Sequence, residues 1–203
     1  MLNLTAAIII AYLLGNISPS ILMARARGID IKKEGSGNAG TTNALRVMGK
    51  KAGAITLIID ILKGTSAVLI GGALAGNTGA MWCVIAVFCG HIWPVFFKFK
   101  GGKGVATAFG ALLGLNPLLA VTVLAIVIAA VLISKRMSVG SILGAVSFPF
   151  IAIFMEPDFV IFGTVLALIV VVKHRANIAR ILRGEEPIMS IFEKKQNKQE
   201  DIR

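Results

Sequence analysis

Three short segments of the chain gather the residue types that hold phosphate groups. The first is EGSGNAGTTNALRVMG, residues 34 to 49, with Gly35, Gly37 and Gly40 close together. Residues without a Cβ let neighbouring backbone N–H groups converge on an anion, and Ser36, Asn38, Thr41, Thr42 and Asn43 add neutral donors. Asn43 is placed to cap a short helix, Ala44 to Met48, that ends at Gly49 and presents Arg46. A helix start, converging amides and a guanidinium are the parts of a phosphate site. The plainer alternative is a solvated loop whose basic residues face anionic lipid.

The second segment is FKFKGGKGVAT, residues 97 to 107, and it lacks the spacing of a Walker A loop. Lys98, Lys100 and Lys103 repel one another unless an anion sits among them, and Gly101, Gly102 and Gly104 let the chain fold back against such a ligand. Lipid headgroups are the competing source of that charge. His91 and Trp93, just before it, read as a packed helix end and an interfacial aromatic.

The third segment is KHRANIARILRGEEP, residues 173 to 187, read as the last helix continuing beyond the membrane. At 100° per residue, Lys173, His174, Asn177 and Arg180 fall in a wedge of about 120° and can face one polar ligand. Basic residues at a helix end also suit its dipole and the inner leaflet, which is the alternative for Lys173 and Arg180. Asp60 and Lys63, at i and i+3 in an apolar run, read as a structural ion pair bracing the site in preference to a substrate contact. The hydroxyls between Ser138 and Ser141 suit either a ligand or helix capping.

Membrane helices must carry these segments. Hydrophobic residues make up 56% of the 203 and charged residues 15%, with a mean hydropathy of +0.84, too apolar for a soluble core alone. Runs 4–24, 64–97, 105–134, 139–155 and 159–172 contain no Asp, Glu, Lys or Arg. The first has no basic head, so it is not read as a cleavable signal. Cys83 and Cys89 read as buried thiols with no disulfide. Residues 1–192 form one integral-membrane domain, and 193–203 read as a polar, disordered cytoplasmic tail.

Every Lys and Arg except Lys63 falls in one of four clusters: 25–51, 98–103, 135–136 and 173–203. If all four lie in the cytoplasm, neighbouring clusters are separated by even numbers of crossings. Turns are then required near Gly76 to Gly79, at Asn116-Pro117 and at Glu156 to Asp158. The expected fold is all-α, seven transmembrane helices with the amino terminus outside and the carboxyl terminus in the cytoplasm. Helices 4 and 5 share 105–134; halves of about 12 to 18 residues reach only ~18 to 27 Å, so both are expected to be short or re-entrant.

The segments GSGNAGTTNALR (35 to 46), GHIWPVFFKFKGGKGVAT (90 to 107) and KHRANIARILRG (173 to 184) resemble the three signature segments of the bacterial acyl-phosphate-dependent glycerol-3-phosphate acyltransferases, the PlsY family. The resemblance runs over about residues 4 to 187. It implies an enzyme of the bacterial inner membrane, its site facing the cytoplasm, that moves a fatty acyl group from acyl phosphate to the 1-hydroxyl of sn-glycerol 3-phosphate. Lysophosphatidic acid and phosphate are the implied products, with no cofactor, metal or nucleic acid. A soluble enzyme that makes acyl phosphate is the implied metabolic partner, and membrane lipid surrounds the protein.

The expected site assigns chemistry to Arg46, Lys103 and His174. Phosphate binding falls to Ser36, Gly37, Asn38, Gly40, Thr41, Thr42, Asn43, Lys100, Gly101, Gly102, Gly104, Ser141 and Asn177. The His-x-x-x-x-Asp pair of other acyltransferases is missing, since Phe96 and Ala179 stand five residues after the two histidines. A substrate phosphate oxygen is then the favoured proton acceptor over His174, which binds and orients glycerol 3-phosphate. A transporter for a phosphorylated metabolite is the rival reading, but no repeated halves are visible and the polar segments gather on one rim. A CDP-alcohol phosphotransferase needs several carboxylates for metal, and only Asp60 lies within a membrane run.

Overall fold

The computed structural model describes residues 1–189 and 191–192. The expected disordered tail therefore lies outside the described residues. Nine α-helices are present among them: α1 (Leu2–Asn16), α2 (Pro19–Arg25), α3 (Thr41–Met48), α4 (Lys50–Ile92), α5 (Val105–Leu115), α6 (Pro117–Ser134), α7 (Met137–Met155), α8 (Val160–Lys173) and α9 (Arg175–Leu182).

The breaks follow local chemistry. Between α1 and α2 the chain bends by 41°, where Ile17 is extended and Pro19 supplies no N–H. Helix α4 is two arms: Ala75 leaves the helical region and Gly76 takes φ +62°, after which the chain doubles back and sets Gly79 against Gly71. Asn116 caps α6 by accepting from the Leu119 amide at 3.0 Å, and Pro117 opens that helix. Its side-chain amide also reaches Met155 O and Glu156 Oε2, both at 2.9 Å, so the α5–α6 and α7–α8 turns lie together.

Three helical stretches are long and apolar enough to cross a membrane, Lys50–Phe97, Pro117–Ser134 and Met137–Met155, or up to five if each bent pair is one span. Ile133 and Phe154 are 85% and 86% exposed, a surface that lipid stabilises and water does not. The chain is an all-helical, multi-pass integral membrane protein. Two expectations need correction. Only α5, with 11 residues, is short; α6 has 18, because Asn116 places the turn well before the middle of the run. The last helix is not continuous either, since the chain bends by 55° at His174 and starts again as α9.

Packing differs between the two sides of the bundle. Helices α1 and α5 meet α4 backbone to backbone: a Cβ on Gly15 would lie 2.8 Å from Gly90 Cα, and one on Gly64 would lie 2.7 Å from the Ala111 amide. Around α6, α7 and α8 larger side chains make more of the contacts, such as the edge-to-face pair Phe148 and Phe159, with centroids 6.5 Å apart, although Gly140 still sets α7 close to the α6 backbone at Val127 O.

Candidate active site

The glycine–lysine segment folds back on the end of α4. Past Ile92 the chain makes a short 3₁₀ turn, Val95–Phe97, and Lys98 and Phe99 both take left-handed φ, 55° and 59°. The amides of Gly101 and Gly102 then donate to Ile92 O at 3.1 Å and His91 O at 3.2 Å. Side chains at these glycines would collide with the His91 carbonyl and its ring. Glycine is required here for close approach.

Lys103 follows directly, and its ammonium donates to the side-chain oxygen of Asn177 in α9. Asn177 Nδ2 in turn donates to Glu186 Oε1 at 2.6 Å. The buried Glu186 carboxylate is a hub: Ser138 Oγ donates to Oε1 at 2.6 Å and Arg180 Nε to Oε2 at 2.7 Å. Arg136 Nε holds the Glu186 backbone carbonyl at 2.8 Å. Glu186 thus joins α7 and α9 through its carboxylate and the α6–α7 turn through its backbone carbonyl.

Burial lowers the Lys103 ammonium to a pKa of about 8, with Glu186 opposing the shift and Arg180 adding to it. Burial pushes the Glu186 carboxyl up, but the hydrogen bonds from Ser138, Asn177 and Arg180 outweigh it and hold the group below the usual carboxylate value.

His174 stands past the end of the apolar run, at the bend between α8 and α9, and is buried. Its Nδ1 lies 2.8 Å from Val170 O, which can only accept, so Nδ1 carries the proton and Nε2 presents a lone pair. Burial, reinforced by the Lys103 charge, lowers its pKa to about 4 against opposing contributions from the Val170 bond and Glu186. It is a neutral acceptor, weak as a base.

The 34–49 segment is built differently from the expectation. Helix α3 starts at Thr41 with an extended Gly40 as its cap, so Asn43 lies inside the helix. Asn43 does not cap: its Oδ1 accepts from the Ser36 amide at 2.9 Å, and its Nδ2 donates to Glu34 O at 3.0 Å and Ile31 O at 3.3 Å. It staples the glycine loop. The amides of Gly37 and Gly40 also donate within the loop, to Glu34 O and Asn38 O, so the converging nest does not form. What remains free is the first turn of α3 and the Thr41 hydroxyl, buried and without a partner among the described residues.

Lys32 Nζ ties this loop to the second segment through Gly101 O at 2.7 Å. Burial and the nearby charges of Lys173 and Lys100 lower its pKa to about 8, with Asp30 opposing. The four residues expected on one wedge separate: Lys173 stacks over the Trp93 ring at 5.1 Å, while His174, Asn177 and Arg180 stay near Lys103 and Glu186. The bend at His174 divides them. Ser36, Arg46 and Lys100 are exposed, and Arg46 makes no hydrogen bond or ion pair among the described residues. Gly37, Asn38 and Thr42 lie half-buried beside them.

Below this rim is an apolar cavity walled by α4 to α8, including Phe88, Val105, Leu112, Phe148, Phe159 and Val170. Ser141, which donates to Met137 O at 2.9 Å, is the only polar side chain among the described residues that lines it. Gly104, at φ +85°, sits where any Cβ would press on the Phe88 ring, 2.5 Å from Cε2, so the lysine loop rests on the cavity wall. Ser138 does no capping, because its hydroxyl is committed to Glu186.

Sequence reasoning missed Glu186, Lys32 and Arg136. The available signal for Glu186 was the pair of carboxylates after Gly184, an oddity in a run otherwise read as basic.

The family model for glycerol-3-phosphate acyltransferase matches residues 5–184. The chain is 50% identical over 181 residues to a glycerol-3-phosphate acyltransferase of Thermoanaerobacter sp. (strain X514), covering 88% of this chain and 91% of that protein. It is 45% identical over 189 residues to one from Clostridioides difficile (strain 630), with 88% and 91% covered. Crystal structures of PlsY (YgiH), an integral membrane glycerol 3-phosphate acyltransferase, have the same fold. The glycerol 3-phosphate form superposes with a TM-score of 0.87 at 32% identity, covering 94% of this chain and 99% of that one. The lysophosphatidic acid form gives 0.83 at 33% identity, covering 91% and 94%.

Proposed function

The chain belongs to the glycerol-3-phosphate acyltransferase family, and on that premise we propose that its rim site takes the acyl group from acyl phosphate. It is a membrane acyltransferase of phospholipid synthesis that converts glycerol 3-phosphate to lysophosphatidic acid. The observation that carries the choice of donor is the junction of the Lys103–Asn177–Glu186 cluster with the apolar cavity through Gly104, Phe88 and Ser141. Such a junction suits a donor with a phosphate at one end and a long hydrocarbon at the other.

In the reaction, the 1-hydroxyl oxygen of sn-glycerol 3-phosphate bonds to the acyl carbonyl carbon, and the bond from that carbon to the phosphate oxygen breaks. Inorganic phosphate leaves. A substrate phosphate oxygen takes the hydroxyl proton, since a phosphate monoester such as glycerol 3-phosphate, with a second pKa of about 6, is the stronger base beside a histidine held at about 4. His174 Nε2 accepts a hydrogen bond from glycerol 3-phosphate and orients it. Lys103 and Arg46 neutralise the two phosphates, while Lys100, Thr41, Thr42, Asn177 and the amides of the first turn of α3 complete the cradle.

The four basic clusters favour a cytoplasmic rim, and seven crossings of a bacterial inner membrane would then be α1 with α2, the two arms of α4, and α5 to α8. The soluble enzyme that makes acyl phosphate then supplies the donor from the same side. Purified protein given palmitoyl phosphate and sn-glycerol 3-phosphate should form lysophosphatidic acid. Product formed only from acyl-CoA or acyl-carrier-protein donors would overturn the assignment of the donor.

A further inference from the structure

Three titratable groups lie buried within α4 and outside the rim site: Asp60, Lys63 and His91. The Lys63 ammonium is 2.7 Å from Asp60 Oδ1, 2.6 Å from Ile17 O, 3.1 Å from Gly15 O and 2.9 Å from His91 Nδ1. The two carbonyls belong to the break between α1 and α2. In a continuous helix Gly15 O would accept from the amide of residue 19, which is proline and has none. Lys63 supplies the missing donor, which matters where no water reaches.

An ammonium has three hydrogens and only donates: with these on Gly15 O, Ile17 O and His91 Nδ1, the ring proton sits on Nε2, and Asp60 Oδ1, 3.5 Å from Nδ1, completes the ion pair. Thr107 Oγ1 lies 3.0 Å from the same Nδ1. The protonated Nε2 edge faces the rim: a Cβ on Gly102 would overlap it and would stand 2.6 Å from Ala39 O. The ring therefore touches the point where the two phosphate-holding loops meet, one residue before Lys103.

We propose that Asp60, Lys63 and His91 form a positioning unit. Lys63 sets the tautomer of His91, and His91 holds the Gly102 and Ala39 backbones in the register that brings Lys103 and Thr41 to the same substrate. Asp60 balances the buried charge. This rests on the rim being the acyl-transfer site and extends it to residues that touch no substrate.

The test compares kcat, KM for glycerol 3-phosphate and thermal midpoint in detergent for wild type, Lys63→Met, the double variant Asp60→Asn with Lys63→Met, and His91→Phe. Whichever acyl donor the wild type uses serves throughout, so a failure of the acyl-phosphate reading shows in the wild-type control alone. Lys63→Met leaves a buried carboxylate unpaired and should lower both midpoint and kcat. The double variant removes both charges, a change that is often neutral or stabilising, and should recover most of the midpoint, short of wild type because Gly15 O and Ile17 O still lack their donor. Its kcat should stay at least about 30-fold down, a loss in the range for misplacing a catalytic group. His91→Phe keeps a planar ring without nitrogen and should lose kcat to a similar degree at an unchanged midpoint. Recovery of kcat to within about 3-fold together with the midpoint, or a folded His91→Phe enzyme with wild-type kcat, overturns the proposal. Failure of both to fold overturns it too, because the unit would then be a structural brace.

Discussion

The side chains of Asn177 and Glu186 share a hydrogen bond of 2.6 Å, and that bond fixes which way the Asn177 amide points. With its nitrogen turned to the carboxylate, its oxygen is left for the Lys103 ammonium. Replacing Asn177 by Leu should separate a buried cation from a buried anion and cost about 2 to 4 kcal/mol of transition-state stabilisation. Steady-state kinetics in detergent check this, and a loss of less than about 5-fold would contradict the bridge.

Position, more than the number of charges, should decide which cations matter. Arg46→Ala and Lys103→Ala are each expected to reduce kcat/KM by about 30-fold to 1000-fold, the loss of a charge-assisted contact to a phosphate. Removing Lys194, Lys195 and Lys198 together should leave it within a few-fold, although three charges go. Equal damage from the tail variant, measured in neutral detergent, would point to general attraction to lipid.

Activity should fall on the alkaline side. Burial lowers the Lys103 and Lys32 ammonium groups to about 8, so the Lys103 charge that phosphate binding needs, and the Lys32 charge beside it at Gly101, are lost as pH rises through that value. The limb in kcat/KM should therefore lie near pH 8, and the limb in kcat higher, because bound phosphates favour the charged lysine. A pH–rate profile in saturating and limiting glycerol 3-phosphate separates the two. An alkaline limb absent below pH 10 would show that neither ammonium matters in that form.

His174→Ala should keep measurable turnover with KM for glycerol 3-phosphate mainly raised, as befits an orienting acceptor with its pKa lowered to about 4. Any acid limb near pH 6 should persist in this variant, since it would belong to the substrate's phosphate. Loss of kcat alone at saturating substrate, together with that limb, would make the histidine the base.

Gly102→Ala should be among the most damaging single changes to the lysine loop. Its Cβ would enter the space of the His91 ring and stand 2.6 Å from Ala39 O, so the loop must move. A misplacement of about 1 Å at such a site costs on the order of 100-fold in rate. Gly102 does not take a positive φ, so crowding alone acts there; rates measured beside Gly28→Ala, which has open space around it but a φ of +70°, show what backbone strain alone does.

Much of the architecture could be read before any coordinates. Gly76, Asn116-Pro117 and Glu156-Pro157 mark true breaks because their causes are local: a positive φ, a capping amide and a missing N–H. The bend at His174 has no such mark, and periodicity through 173–182 continues across it. Asn43 was assigned the wrong task for a related reason. A side chain that suits a cap also suits a staple, and the choice rests on where Ile31 and Glu34 end up. Glu186 and Lys32 act through partners 48 and 69 residues away, at Ser138 and Gly101, which no local pattern contains.

The glycine contacts between α1, α4 and α5 have a consequence for how the protein tolerates change. Where Gly15 meets Gly90 and Gly64 meets Ala111, backbone touches backbone, and no side chain is present that could shrink or turn to absorb an added methyl. Around Phe148, Phe159 and the cavity, most of the lining is rotatable side chain beside open space and can absorb one, except at Gly140, Gly144 and Gly163, where a methyl would meet Val127 or Phe148. A random substitution library would accordingly sort by side of the bundle, with survivors sparse along the glycine seams and common along the cavity wall. Drift in hydrocarbon fit can then accumulate without disturbing the charge chemistry at the rim.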